Sequence, residues 1–172
     1  MHGKTVRGTM RALLLTVGSR GDVQPFVALG SRLRAEGHDA VLAAPAMFGD
    51  LAAAHSVPFV PLDLNMSEVG AVLAGRHGLR HLVAFCQSMG RRAEAVLPGT
   101  AEAALGADIV VHHPVLPIGQ HLAELLGVPA VVAQPIPALV PTGEFTSAVW
   151  PCRVPRILNR PSYAAARQLA GL

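Results

Sequence analysis

Cysteine is nearly absent: two in 172 residues, Cys86 and Cys152, far apart and outside any CxxC spacing. That excludes a disulfide framework and a zinc ribbon, and it fits a reducing compartment in which both thiols are small buried hydrophobes. Aromatic residues make up 4%, and the formal charge of +3 comes from scattered arginines rather than a basic block. With neither a stacking platform nor an electrostatic stripe, nucleic acid is not an expected partner. No apolar run reaches the roughly 18 residues of a membrane span, and the opening MHGKTVRGTM is too polar for a signal-peptide core. A soluble, cytoplasmic protein without a transmembrane segment is expected.

Aliphatic residues are what the chain has in quantity, with 51% hydrophobic against 15% charged residues, and its length suits one ordinary core. Residues 1–10 read as a loose tail. RALLLTV (11–17) and DAVLAAP (39–45) read as short buried strands, and VPFVPLD (57–63), interrupted by prolines, ADIVVHH (107–113) and VPAVVAQ (128–134) read as three further strands. Between the first two, Val23, Phe26, Val27, Gly30 and Leu33 recur at helical spacing, with Arg32, Arg34 and Glu36 outward and Gly37 as a stop. MFGDLAAAHS and PIGQHLAELLG read as further helices, and residues 67–105 are helical in tendency. Strands alternating with helices through short turns predict an α/β fold with a doubly wound, mostly parallel, Rossmann-like sheet. Residues 11–134 carry it. From Pro135 to Leu172 the chain is proline-rich and aperiodic until a final helical run, SYAAARQLAGL, as expected of a binding loop or connector.

The loop GSRGD (18–22) falls between the first strand and the first helix, at the carboxyl edge where open parallel sheets bind ligands. A dinucleotide fingerprint is missing, since no third glycine is in register and the second strand ends without an acidic residue; no GK[ST] follows for a P-loop. A structural reading takes Asp22 as the helix N-cap, Gly21 as the turn and Pro25 as a first-turn proline. It leaves Ser19 and Arg20 unexplained at the mouth of the sheet.

TVGSRGDVQPFVALGSRLRAEGHDAVLAAPAMF, then VPFVPLD, ADIVVHHPVLPIGQHLAELLGVPAVVAQPIPALVPTGEF and LNRPSY, together resemble the N-terminal half of GT-B glycosyltransferases of the sterol glucosyltransferase and glycopeptide-antibiotic type. The resemblance covers roughly residues 11–165. It implies an acceptor-binding domain, with 135–172 leading towards a donor-binding domain that this chain does not contain. The implied reaction is inverting transfer from a UDP- or dTDP-linked sugar to a hydroxyl of a lipophilic acceptor, with no metal or other cofactor. It also implies that the nucleotide sugar is held mainly by the second domain or a partner chain. The same resemblance makes Asp22 the candidate base and sets Gly18, Ser19, Arg20 and Gly21 towards the donor diphosphate.

A helix N-terminus suits an anion. A carboxylate that caps a helix, however, is a weakened base, so cap and base compete for Asp22. His112 and His113 end the fourth strand on the same rim and are alternative bases or acceptor contacts; adjacent strand residues point to opposite faces, which leaves one for packing. Arg76 to Leu82, Phe85 and Met89 are candidate acceptor walls, although an i, i+4 apolar pair is also ordinary core. Gln134, Pro135, Ile136, Pro137, Phe145 and Trp150 offer a rigid apolar surface for a multi-ring alcohol. Three functions follow: a glycosyltransferase half inactive alone, a non-catalytic module needing a separate donor-binding chain, or a small nucleotide-binding protein. A homo-oligomer formed through the exposed inter-domain face is a further expectation.

Overall fold

Runs of Ala, Leu and Val too short for a helix, each closed by a turn, become strands; Arg11–Leu15 and Asp39–Pro45 are buried on both faces, whereas Phe59–Leu62 and Ala130–Val132 at the sheet edges are partly exposed. The computed structural model describes residues 8–63, 96, 99–114, 116, 118–135, 140–147 and 154–169. Within them are β1 (Arg11–Leu15), β2 (Asp39–Pro45), β3 (Phe59–Leu62), β4 (Ile109–His112) and β5 (Ala130–Val132). The helices are α1 (Arg20–Ala35), α2 (Gly49–Ala54), α3 (Ile118–Leu126) and α4 (Asn159–Leu169). All strand pairs are parallel, in the order β3-β2-β1-β4-β5. The doubly wound sheet expected from the sequence is therefore present.

Strand alternation divides the core. Ala12 and Leu14 pack with Val23, Phe26 and Val27 of α1, whereas Leu13 and Leu15 pack with Ile118, Leu122 and Ala123 of α3. Leu13, Leu14 and Leu15 are all buried, each contributing about 1.5 to 3 kcal/mol. At the amino ends of the strands Arg11 Nη1 meets Asp39 Oδ2 at 2.7 Å, and the Arg11 N–H donates to Asp108 Oδ2 at 2.7 Å. These contacts tie β1 to both neighbours and set its register more than its stability, because a half-exposed ion pair contributes about 0 to 1 kcal/mol.

Helix α1 buries Val23, Phe26, Val27 and Gly30, the face read from the periodicity. It stops where expected. Gly37, at φ +85°, lets its own N–H reach the Arg34 carbonyl and that of His38 reach Leu33, a Schellman closure. Its start differs from expectation: Ser19 is the N-cap and Asp22 the third helical residue, because the helix begins at Arg20. Pro25 consequently lies inside the helix rather than in its first turn. It removes the N–H that would bond the Gly21 carbonyl, at two exposed positions where water can serve instead.

The terminal helix also starts earlier than SYAAARQLAGL, at Asn159, with Pro161 tolerated in the first turn. Before it, residues 140–147 are held by side chains rather than by a regular ladder. Asn159 Nδ2 donates to the Gly143 carbonyl at 2.9 Å and Oδ1 accepts from Thr146 Oγ1 at 3.0 Å, while the Ser147 N–H donates to Ser162 Oγ. Such bonds leave no periodic trace. The only evident sequence signal is the proline content. No helix among the described residues is long and apolar enough to cross a membrane.

Candidate functional site

The chain runs β1, β2, β3 towards one edge and then crosses back to place β4 on the other side of β1. Strand order reverses there, and in open parallel sheets ligands bind beyond the carboxyl ends of the strands at such a point. The segment 16–22 follows the carboxyl end of β1, and His113 follows that of β4.

Ser19 and Asp22 close the start of α1. The Ser19 N–H donates to Asp22 Oδ2 at 2.7 Å and the Ser19 hydroxyl donates to the same oxygen at 2.9 Å. Asp22 is thus neither a simple cap nor an unconstrained carboxylate. Its backbone is anchored too, since Thr16 Oγ1, fully buried at the strand end, donates to the Asp22 carbonyl at 3.2 Å. With Oδ2 engaged by Ser19, Oδ1 lies 3.7 Å from His113 Nε2. That is ion-pair range, longer than a hydrogen bond.

His113 is positioned by the sheet: its N–H donates to the Leu15 carbonyl at 2.8 Å, extending the β1–β4 ladder by one step. Its ring tilts against Phe26 of α1 with centroids 6.4 Å apart. Burial holds it below the ordinary histidine range, with Asp22 pulling it up and His112 pushing it further down. The Asp22 side chain is 28% exposed against 9% for His113, so the carboxylate is the member of the pair that a ligand reaches first.

His112 faces the other side of the sheet. It is fully buried, with Nδ1 3.2 Å from the His113 carbonyl and Nε2 without a hydrogen-bond partner among the described residues. α3 covers it so closely that a Cβ on Gly119 would overlap its side chain. Burial lowers its proton affinity, against smaller upward effects of backbone hydrogen bonding with His113 and Leu116. The two histidines therefore divide as strand geometry requires, with His113 on the face of α1 beside Asp22 and Phe26 and His112 on the face of α3.

Of the remaining candidates, Gly18, Ser19, Arg20 and Gly21 line the rim, but both Ser19 donors are engaged by Asp22. Arg20 Nε donates to Gln24 Oε1 at 3.3 Å along the exposed face of α1. Gln134 and Pro135 close a small cleft of about 90 Å³ against Pro25, Phe26 and Leu29, with Ala133 between. Phe26 links this cleft to His113. Phe145 is exposed on the segment bound to α4, and no described contact joins it to the cleft. Phe85, Met89, Ile136, Pro137, Trp150 and the stretch from Arg76 to Leu82 lie outside the described residues.

Sequence reasoning missed Thr16, Pro25, Leu29 and Ala133 and took Phe26 as core alone. Leu29 carried a signal: it is an apolar residue on the outward face of an otherwise amphipathic helix. Thr16 carried another, as the single hydroxyl in an apolar strand.

An open, all-parallel α/β sheet with helices on both faces, carrying a carboxylate beside an imidazole where the strand order reverses, is a lobe of the Rossmann-like class. Residues 12–142 match the glycosyltransferase family 28 N-terminal domain, and the chain belongs to that family. It is similar to the sterol 3-beta-glucosyltransferase of Debaryomyces hansenii, 33% identical over 126 residues, which are 72% of this chain and 8% of the relative. The O-mycaminosyltylonolide 6-deoxyallosyltransferase of Streptomyces fradiae is 41% identical over 112 residues, 61% of this chain and 26% of the relative. SsfS6, a glycosyltransferase of Streptomyces sp. SF2575, shares the fold at TM-score 0.61 and 22% identity, across 95% of this chain and 47% of that one. SsfS6 has also been solved in complex with thymidine diphosphate. The fold is the N-terminal half of the GT-B architecture, and the chain spans well under half the length of the relatives it matches in sequence.

Proposed function

We propose that the chain is the acceptor-binding lobe of an inverting glycosyltransferase that moves a sugar from a UDP- or dTDP-linked donor to a hydroxyl of a lipophilic, sterol-like or polyketide-like alcohol. The observation that carries this reading is the Asp22 carboxylate, 3.7 Å from His113, one helical turn from the apolar cleft of Phe26, Leu29 and Pro135. The cleft, of about 90 Å³, takes one edge of such an alcohol, and Asp22, one turn before Phe26 on the same helix, serves the hydroxyl that extends beyond it. The hydroxyl oxygen bonds to the anomeric carbon, the bond from that carbon to the diphosphate breaks, and the hydroxyl proton passes to Asp22. A single displacement inverts the anomeric centre. Neutral His113 backs the carboxylate from the buried side, and the proton stays on Asp22.

The departing diphosphate needs positive potential, which the N-terminus of α1 and the exposed Arg20 supply at the same rim. Ser19 contributes less to it, because its donors serve Asp22. His112 supports the β4 end from the opposite face and touches no reactant. The lobe alone does not turn over, since a cleft that excludes water needs a second, donor-binding lobe.

Thermal unfolding of the chain with polycyclic alcohols, UDP-glucose, dTDP-glucose and NAD tests the reading. A ligand at 100 times its dissociation constant stabilises by roughly 2.7 kcal/mol. Polycyclic alcohols are expected to raise the melting temperature by several degrees, with Leu29→Asp abolishing the effect and Asp22→Asn preserving it. Stabilisation by NAD and not by the alcohols overturns it.

A further inference from the structure

Gly18 ends the turn after β1 at φ +130°, a conformation that side-chain-bearing residues rarely adopt. The space beside it is occupied: a Cβ built there would overlap Asp22 Oδ2 and lie 2.7 Å from Asp22 Cγ and 2.9 Å from its Cβ. We propose that Gly18 is a positioning residue for Asp22, leaving open the volume into which the aspartate folds back so that the Ser19 donors hold Oδ2 and Oδ1 faces His113. The inference rests on the reading of Asp22 and His113 as the proton-accepting pair, and it assigns Gly18 a role towards the carboxylate rather than towards a donor phosphate.

The geometry leaves little room for adjustment. Rotating the Asp22 side chain would move its carboxylate but not its Cβ, which α1 fixes. The α1 backbone at that point is tied to the sheet by the buried Thr16 hydroxyl, at 3.2 Å from the Asp22 carbonyl. A methyl group at position 18 therefore drives the carboxylate outward, off the Ser19 N–H at 2.7 Å and away from His113. Ser19 holds the carboxylate in place, and Gly18 makes that place available.

NMR titration of the His113 ring protons reads the carboxylate directly, without requiring turnover. It is measured in the unaltered chain, Asp22→Asn, Gly18→Ala and the double variant, with amide spectra reporting the fold. The other ionisable group acting on His113, His112, is common to all four. Asp22→Asn is expected to lower the His113 pKa, Gly18→Ala to lower it by the same amount, and the double variant to add nothing. A folded Gly18→Ala chain that titrates like the unaltered one overturns the inference, as does a Gly18 effect that persists beside Asp22→Asn. If Asp22→Asn leaves His113 unmoved, the pair itself is refuted and the inference with it.

Should Gly18→Ala fail to fold, Asp22→Gly is added to it, which removes every Asp22 side-chain atom that the new Cβ meets. This double variant is expected to recover a folded amide spectrum. One that stays unfolded, while Asp22→Gly alone folds, overturns the inference.

Discussion

Helix propensity and packing make opposite forecasts for Gly119→Ala. Inside an exposed helix, alanine is favoured over glycine by about 0.8 to 1 kcal/mol. Gly119, however, is buried in the first turn of α3, where an added Cβ overlaps the Cβ of His112 and lies 2.5 Å from its Cγ. A flexible chain end could swing aside, but a Cβ on a strand bonded to β1 and β5 cannot. Either α3 lifts from the sheet or β4 bends, and overpacking of this kind costs about 1 to 3 kcal/mol, at the upper end when the obstacle is backbone-anchored. The net expectation is a destabilisation of about 1 to 2 kcal/mol, or roughly 2 to 8 °C in melting temperature for a chain of this size. Urea and thermal unfolding measure it, and the amide shifts of His113 and Ala133 report whether β4 moved. A Gly119→Ala chain as stable as the original, with those shifts unchanged, would refute the packing argument.

Acidification should weaken the fold through both histidines. Burial lowers the folded-state pKa of His112 and His113, so below about pH 6.5 the unfolded chain binds more protons than the folded one. Their contribution is complete above the unfolded pKa and is lost as pH falls towards the folded values, about 1.4 kcal/mol for each tenfold difference in proton affinity. Unfolding free energy measured from pH 7 to 5 should fall, less steeply in His112→Gln, and equal slopes would count against buried neutral rings. Asn159→Ala should cost about 0.5 to 1.5 kcal/mol per bond locally, because it removes the partner of the half-buried Gly143 carbonyl and Thr146 hydroxyl, the latter keeping its bond from the Val154 N–H. Proteolysis within 140–147 should accelerate, and unchanged cleavage would argue that other contacts hold the segment.

Much of the sheet was readable because its signals are local. Leu13, Leu14 and Leu15 form an apolar run closed by a glycine turn, and α1 shows its buried face in the spacing of Val23, Phe26, Val27 and Gly30. Helix starts were less readable. Asp22 looks like a cap because aspartate prefers that position, yet Ser19 three residues earlier competes for the same role and its backbone conformation won.

The family resemblance, too, lay in contiguous strings such as GSRGD and LNRPSY, the first of which falls within the match over residues 12–142. The split of the two histidines is also a local matter, fixed by the period of two along any strand. Which of them would meet Asp22 was not local. Periodicity says that a strand is buried but not beside which neighbour, and the encounter depends on β4 returning to pair with β1, where the His113 N–H bonds to Leu15. The cleft shares that origin, since Leu29 gains Gln134 and Pro135 as neighbours through β5 pairing with β4. Composition, spacing and turn chemistry determined the elements and the core faces, and contiguous motifs carried the family resemblance. The crossover and the strand order decided the site, because a carboxylate and an imidazole far apart along the chain become partners through long-range pairing that leaves no mark on either residue's own surroundings in the sequence.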